Sequence, residues 1–335
     1  MYGLATCRTL AEMTAHPPRV TRLAPTPSGA LHVGNARTFL ATWALARHEG
    51  WRVELRLEDL DLGRVKEGAH EACVADLRWL GLDWDGEPLV QSADLAPYRA
   101  ALSSLAALGL VFRCDRSRAE IRNAASAPHA EDGETRYPPD LRPPEPWPRS
   151  VERWNANHRM RVEPASEAVD DQLLGRRAFD PGLEAGDLVV WTKLGVPAYQ
   201  LAVVVDDARQ RVTDVVRGDD LLASAARQQL IARRLGLSHA RWWHLPLVYG
   251  DDGKRLAKRN GAHGLAALRA EGVAPERLVG WCAWSLGLVA EPRPLRAEEL
   301  VARSSPAAMR EAALRTERAP TVFGAGDLAW LRSVR

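Results

Sequence analysis

No apolar run in this 335-residue sequence approaches the roughly 18 residues that a membrane span requires. The longest, Leu278 to Ala290, is broken by Trp281, Cys282 and Ser285 and reads as a core helix, so no membrane association is expected. Cysteine is scarce. Cys7, Cys73, Cys114 and Cys282 are scattered and form no paired framework, which fits a reducing compartment. The start of the chain lacks a basic segment leading into an apolar stretch and a small-residue cleavage site, and the expectation is a cytoplasmic protein. Residues 1–18 have no strong periodicity and suggest no function. A dominant charge sign is missing too: 45 Lys and Arg face 43 Asp and Glu, for a formal net charge of +2. That excludes a protein held to nucleic acid by bulk positive charge, so any polyanion must be met locally.

What is present is an ordinary globular composition, 46% hydrophobic and 26% charged, which argues against disorder of the whole chain. At about 150 residues per domain the length fits two domains, or one large domain with an insertion. Val20 to Ala24 reads as a strand, stopped by Pro25-Thr26-Pro27-Ser28-Gly29. Ala36, Phe39, Leu40, Trp43 and Ala46 then recur at helical spacing, and Val53, Leu55 and Leu57 alternate with charged residues as in a strand. Strand, helix, strand within about 40 residues is a βαβ unit, the signature of an α/β fold with a parallel sheet. Further helices are expected through Val65–Leu80 and Leu95–Leu105, and strands over Asp187–Trp191, Tyr199–Val205 and Val212–Val216. Helices follow over Asp220–Leu235, Gly280–Leu288 and Ala297–Arg318. Between them, Asn123 to Arg149 carries seven prolines and many charges and reads as an exposed loop or partly disordered insertion.

Two segments carry the chemistry. The first, Arg22-Leu-Ala-Pro-Thr-Pro-Ser-Gly-Ala-Leu-His32-Val-Gly34-Asn35, runs from a strand through a tight turn directly into a helix. The first amides of a helix have no internal partner and lie at the positive end of its dipole, so this is a phosphate-binding geometry. Taken alone, His32 is as well explained as a helix cap or a packed side chain. The second, Leu247-Val-Tyr-Gly-Asp-Asp-Gly-Lys254-Arg255-Leu-Ala-Lys258-Arg259, places four cations within six residues after a glycine-bearing turn. Alone it is a solvated basic face.

Together, and in this order, the two resemble the HIGH element and KMSKS loop of class I aminoacyl-tRNA synthetases, with His32-Val33-Gly34-Asn35 and Arg255-Leu256-Ala257-Lys258-Arg259 in the matching places. Arg22 to Thr42, Arg56-Leu-Glu58-Asp-Leu-Asp61, Ala198-Tyr199-Gln-Leu-Ala-Val-Val-Val-Asp-Asp207 and Val216-Arg217-Gly-Asp-Asp-Leu221 resemble the glutamyl branch. The quoted stretches reach across most of residues 20–260, and an ordered series is far more specific than any one motif. Only about 75 residues follow Arg259, too few for the anticodon-reading region of full-length glutamyl enzymes. The resemblance therefore narrows to the short glutamyl-Q tRNA(Asp) synthetases, which attach glutamate to the queuosine base of tRNA-Asp.

That resemblance implies a Rossmann-like class I catalytic domain, split into 20–110 and 187–262. An N-terminal extension over 1–19, an inserted acceptor-binding subdomain over 111–186 and a C-terminal helical region over 263–335 complete the expected organisation. It implies L-glutamate, ATP with Mg²⁺ and tRNA-Asp bearing queuosine as partners. His32, Gly34, Asn35 and Lys258 would hold and activate ATP, and Gly250 and Gly253 would hinge the loop. Arg22 would grip the glutamate side-chain carboxylate, Glu58 the ammonium, and Tyr199, Arg217 and Thr26 would complete the pocket. The family's zinc site is degenerate here: Cys114 and Tyr137 remain, but Arg116 and Leu141 stand where cysteines are usual. Two ligands do not make a zinc site, so no zinc is expected, and His129 or Asp132 are poor substitutes. Arg113, Arg116, Arg118 and Arg122 read equally as phosphate contacts or a solvated face, and six tryptophans, Trp147, Trp154, Trp242, Trp243, Trp281 and Trp284, as stacking platforms or core. Two other readings stay open: a glutamyl-adenylate enzyme loading tRNA-Glu or a carrier, and a non-catalytic RNA-binding paralogue.

Overall fold

The computed structural model describes residues 18–61, 63–124, 136–256 and 264–333. Strand β1 (Val20–Leu23) leads through the Pro25–Gly29 turn into helix α1 (Val33–His48), and β2 (Arg52–Leu57) returns parallel to β1 with Val20 opposite Arg52. This is the βαβ unit expected from the alternation of Val53, Leu55 and Leu57. Helix α2 (Ala69–Trp79) and the short β3 (Leu89–Val90) follow, β3 pairing parallel to β2. After α3 (Ala96–Ala107) the chain leaves this body in β4 (Val111–Cys114) and α4 (Arg118–Ala124).

Strand β5 (Asn157–Met160), β6 (Glu167–Asp171), β7 (Gly175–Phe179), the short α5 (Pro181–Glu184) and β8 (Leu188–Trp191) come next. Strands β4, β5 and β8 make a separate antiparallel sheet. Helix α6 (Tyr199–Arg209), β9 (Asp214–Gly218), α7 (Leu222–Arg234), β10 (Arg241–Leu245) and β11 (Val248–Gly250) bring the chain back. The C-terminal part contains α8 (Leu265–Ala270), α9 (Pro275–Ser285), α10 (Ala297–Val301), α11 (Pro306–Arg318), β12 (Thr321–Phe323) and α12 (Ala325–Arg332).

Parallel strands β9 and β10 continue the array, with β6 beyond β10 and β7 antiparallel at the edge. The two halves meet where Thr213 N donates to Val20 O at 2.8 Å and Val20 N to Thr213 Oγ1 at 2.9 Å. From that seam β1 leads outward to β2, and β9 leads the other way to β10. Such a reversal opens a crevice beyond the carboxyl ends of the strands, where open α/β sheets bind ligands. Helix α1 fills the space behind it, packed between β1, β2 and β9 and the helices α9 and α10. A helix covered on both sides reads apolar nearly all round, as Val33, Ala36, Leu40, Ala41, Ala44, Leu45 and Ala46 do.

Three expectations need correction. Tyr199–Val205 is the start of helix α6, and the strand reading fails. The helix is wedged among α3, α7 and β8, so Leu201 through Val205 are all buried and no polar face marks the helical period. A short, wholly buried run cannot be assigned by periodicity, and packing overrides the β preference of three valines. Ala297–Arg318 is two helices, because Pro306 starts a new one capped by the Ser305 side chain. The expected loop over Asn123–Arg149 is ordered at its C-terminal end: Tyr137 and Trp147 are buried against Phe112, Cys114 and Ile121. His129 and Asp132 lie outside the described residues, as do Cys7 and Lys258. No described helix is long and apolar enough to cross a membrane.

Candidate active site

The turn after β1 delivers His32 to the N-terminus of α1. His32 Nδ1 accepts from Gly34 N at 3.1 Å, and Asn35 Oδ1 accepts from His32 N at 3.1 Å, a reciprocal cap. His32 is thus a helix cap, and because Nδ1 accepts, the proton of a neutral ring is on Nε2, on the side away from the cap. A Cβ on Gly34 would lie 3.0 Å from His32 Cε1, so glycine lets the ring sit this close to the helix start.

A cavity of about 470 Å³ opens beside this helix start. His32, Gly34 and Asn35 form one side, Arg217 and Asp220 another, and Arg255 with Leu256 the third. The last two are held there by a hairpin. Gly253 takes φ +68, Gly253 N donates to Gly250 O, Gly250 N to Lys254 O, and Leu256 N to Val248 O. Strand β11 itself is clamped by parallel pairing to β12, and the Asp251 carboxylate accepts from Ala325 N at 3.3 Å. The two expected hinge glycines therefore build a closed turn, and the chain beyond it, including Lys258, lies outside the described residues.

Next to the cavity, and sharing Arg217 with it, is a recess of buried charge. Arg22 (5% exposed), Arg56 (0%) and Arg217 (4%) come from β1, β2 and β9, so their clustering at the strand ends follows from the parallel topology. Arg56 bonds Asp207 at 2.7 Å, Gln210 at 3.1 Å and Glu58 at 3.2 Å. Arg22 Nη1 donates to Val216 O at 3.2 Å, whereas its Nε makes no hydrogen bond, with the Asp207 carboxylate 3.7 Å away. Burial lowers the Arg22 pKa and raises those of Glu58 and Tyr199. Glu58 feels Arg56 and Arg22, and Tyr199 feels Arg217, Glu58, Arg22 and Arg56. Tyr199 keeps 41% of the surface of the whole residue accessible, while its hydroxyl is the part desolvated among these charges. Glu58 N donates to Pro25 O at 3.0 Å, which sets the half-buried Thr26 beside the same site.

The structure therefore brings together His32, Gly34, Asn35 and Arg217 around the cavity, and Arg22, Glu58, Tyr199 and Arg217 around the recess. Sequence reasoning misses Arg37, Arg56, Asp219 and His244. Arg37 lies in α1 with Nη1 donating to Pro246 O at 2.7 Å and Nε to Ser285 Oγ at 3.1 Å, and burial lowers its pKa to about 10. A charge on an otherwise apolar helix face was the available signal.

Elsewhere, the residues at the place of the family's zinc site belong to an apolar cluster. Cys114 Sγ is 3.8 Å from Tyr137 Oη, the Tyr137 hydroxyl donates to Leu141 O at 2.8 Å, and Arg116 is exposed and paired with Glu120. Of the six tryptophans, Trp147, Trp242, Trp243 and Trp281 are buried, as core residues are. Arg113, Arg116, Arg118 and Arg122 are exposed.

Comparison with known proteins agrees with this geometry. The family model of the catalytic domain of class I tRNA synthetases (E and Q) matches residues 19–313. The glutamyl-Q tRNA(Asp) synthetase of Symbiobacterium thermophilum is 47% identical over 292 residues, which cover 84% of this chain and 90% of that protein. The protein of the same name from Nocardia farcinica is 46% identical, covering 85% and 89%. Among solved structures, a glutamate-tRNA synthetase from Elizabethkingia anophelis superposes with a TM-score of 0.74 at 23% identity, over 94% of this chain and 70% of that one, and shares the fold.

Proposed function

This chain belongs to the E and Q type of class I tRNA synthetases, and from that premise we propose that it activates L-glutamate with ATP and transfers the glutamyl group to the queuosine base of tRNA-Asp. A glutamate carboxylate oxygen attacks the α-phosphorus of ATP, pyrophosphate leaves, and the mixed anhydride then acylates the modified base with release of AMP. Both reactants of the first step are anions, so the protein has to align them and stabilise charge rather than supply a covalent nucleophile.

One observation carries the reading: Arg22 is buried with an Nε that makes no hydrogen bond, Glu58 near it and Asp207 3.7 Å away, close enough to Arg217 of the cavity wall for the two charges to act on each other. A buried guanidinium edge without a hydrogen-bond partner is costly unless an anionic group completes it. Arg22 and Arg217 would take carboxylate, Glu58 the ammonium, and Tyr199 and Thr26 the walls. His32 through Nε2, the amides at Gly34 and Asn35, and Lys258 would hold the triphosphate. Mg²⁺ keeps most of its water and binds phosphates readily, so it would be carried mainly by phosphate oxygens and water. Residues 111–186 would receive the nucleic acid, and the setting would be the cytoplasm. The identity of 47% to a glutamyl-Q enzyme along 90% of its length supports the modified-base acceptor.

Glutamate-dependent ATP–pyrophosphate exchange without tRNA tests the first step, and its absence would remove the activation reading. Charging of queuosine-containing against queuosine-free tRNA-Asp tests the second. Equal charging of both would reject the modified base as acceptor.

A further inference from the structure

Strands β9 and β10 run parallel in a register that sets Arg217 directly beside His244. Arg217 Nε donates to His244 Nε2 at 3.0 Å, and on the far side of the ring His244 Nδ1 lies 2.7 Å from Asp171 Oδ2. All three residues are buried, and the imidazole has no exposed surface. Asp171 is fixed in turn: its Oδ2 also accepts from His244 N, and its Oδ1 from Leu173 N and Leu174 N. Because Arg217 Nε can only donate, Nε2 of the ring is the acceptor, which leaves the imidazole proton on Nδ1, directed at Asp171 Oδ2.

The remaining partners of Arg217 are equally specific. Nη1 donates to Gln228 Oε1 at 2.9 Å and Nη2 to Leu221 O at 3.0 Å, while the guanidinium lies over the Trp242 ring at 4.8 Å. Gln228 is held by Gln200, the neighbour of Tyr199. Of five N–H donors three are therefore used, and one on each terminal nitrogen remains for a carboxylate to take as a fork.

We propose that His244 is a positioning residue for carboxylate recognition: ordered by Asp171, it holds the Nε edge of Arg217 so that the two terminal nitrogens face the substrate recess. The inference rests on the glutamate-activating reading above. Burial, with Arg217 adding to it, depresses the His244 pKa to about 4 against the opposing pull of Asp171 and of the Leu221 carbonyl, which keeps the ring neutral where a second cation 3.0 Å from Arg217 would be repelled.

The test measures exchange kinetics of the full chain with glutamate and ATP varied separately. His244→Leu should raise the glutamate KM by about tenfold or more, with the ATP KM and the kcat at saturating glutamate within about twofold. His244→Gln retains an acceptor and should restore most of the loss. A folded His244→Leu protein with unchanged glutamate KM, or with both KM values rising together, overturns the proposal. Should the buried substitution prevent folding, long-range proton–nitrogen NMR of the parent protein still decides. A ring protonated on Nδ1 supports the relay, and one protonated on Nε2 rejects it. Absence of exchange in the parent protein overturns the glutamate reading itself, an outcome distinct from a parent that is active and indifferent to His244.

Discussion

Arg255 reaches across the mouth of the cavity to Asp220, Nη1 to Oδ2 at 2.6 Å, joining the hairpin before Lys258 to the residues that follow β9. Both partners are accessible, 56% and 30%, so the pair contributes little to stability, at most about 1 kcal/mol. Its value lies in where it places the loop. Asp220→Ala should raise the ATP KM by roughly threefold and leave the glutamate KM and the melting temperature nearly unchanged. A glutamate-specific effect would show that the pair serves the recess instead.

Arg22 is the group whose loss should be most selective. Arg22→Ala removes charge-assisted hydrogen bonds of about 1.5–3 kcal/mol, which predicts a glutamate KM higher by roughly 10- to 150-fold. The ATP KM should hold within about twofold. Titrating exchange against each substrate checks this, and an unaltered glutamate KM would clear Arg22 of the role.

Gly34→Ala tests the cap. The new Cβ would sit 3.0 Å from His32 Cε1 and 3.1 Å from Nδ1, so the ring has to shift by a few tenths of an ångström from its place on α1. Exchange kcat should drop about tenfold for a stability change of about 1 kcal/mol or less, because the displaced group is a donor to developing charge. Full activity would mean that the position of His32 is not critical.

Asp219 supplies a pH dependence. Burial, with Asp220 adding to it, pushes its carboxyl up to about 6. Between about pH 4 and pH 6 the unfolded chain has released this proton while the folded chain keeps it, so this group's contribution to stability falls as pH rises through the window. Asp219→Asn should remove that part of the slope. Urea midpoints measured from pH 4 to 7 would run parallel for parent and variant if the shift were absent.

Lys258 stands on sequence alone. Lys258→Ala should lower exchange kcat by about 100-fold or more without altering the melting temperature. Activity equal to the parent would take the lysine out of the reaction.

The legible part of this protein is what neighbours along the chain settle between them. His32, Gly34 and Asn35 are adjacent and cap a helix with one another, so their motif stands out before any fold is known. The strand at Arg52–Leu57 is legible because one face is apolar and the other charged, while the Leu201–Val205 run of α6 is buried throughout and loses its period. Arg22, Glu58 and Arg217 are recognisable as candidates, although nothing local in their sequence shows that they meet.

Sequence by itself determined the α/β body, the phosphate-type turn at the start of α1 and the types of residue available for chemistry, since backbone preferences and spacing act over a few residues. Only the tertiary structure decided which charges are buried together. His244 is an unremarkable strand residue until parallel register sets it against Arg217 and the end of β6 brings Asp171 to its other nitrogen. Desolvation and pairing depend on segments far apart in the chain, 248 positions for Arg37 and Ser285, and a linear pattern carries no measure of their distance in space.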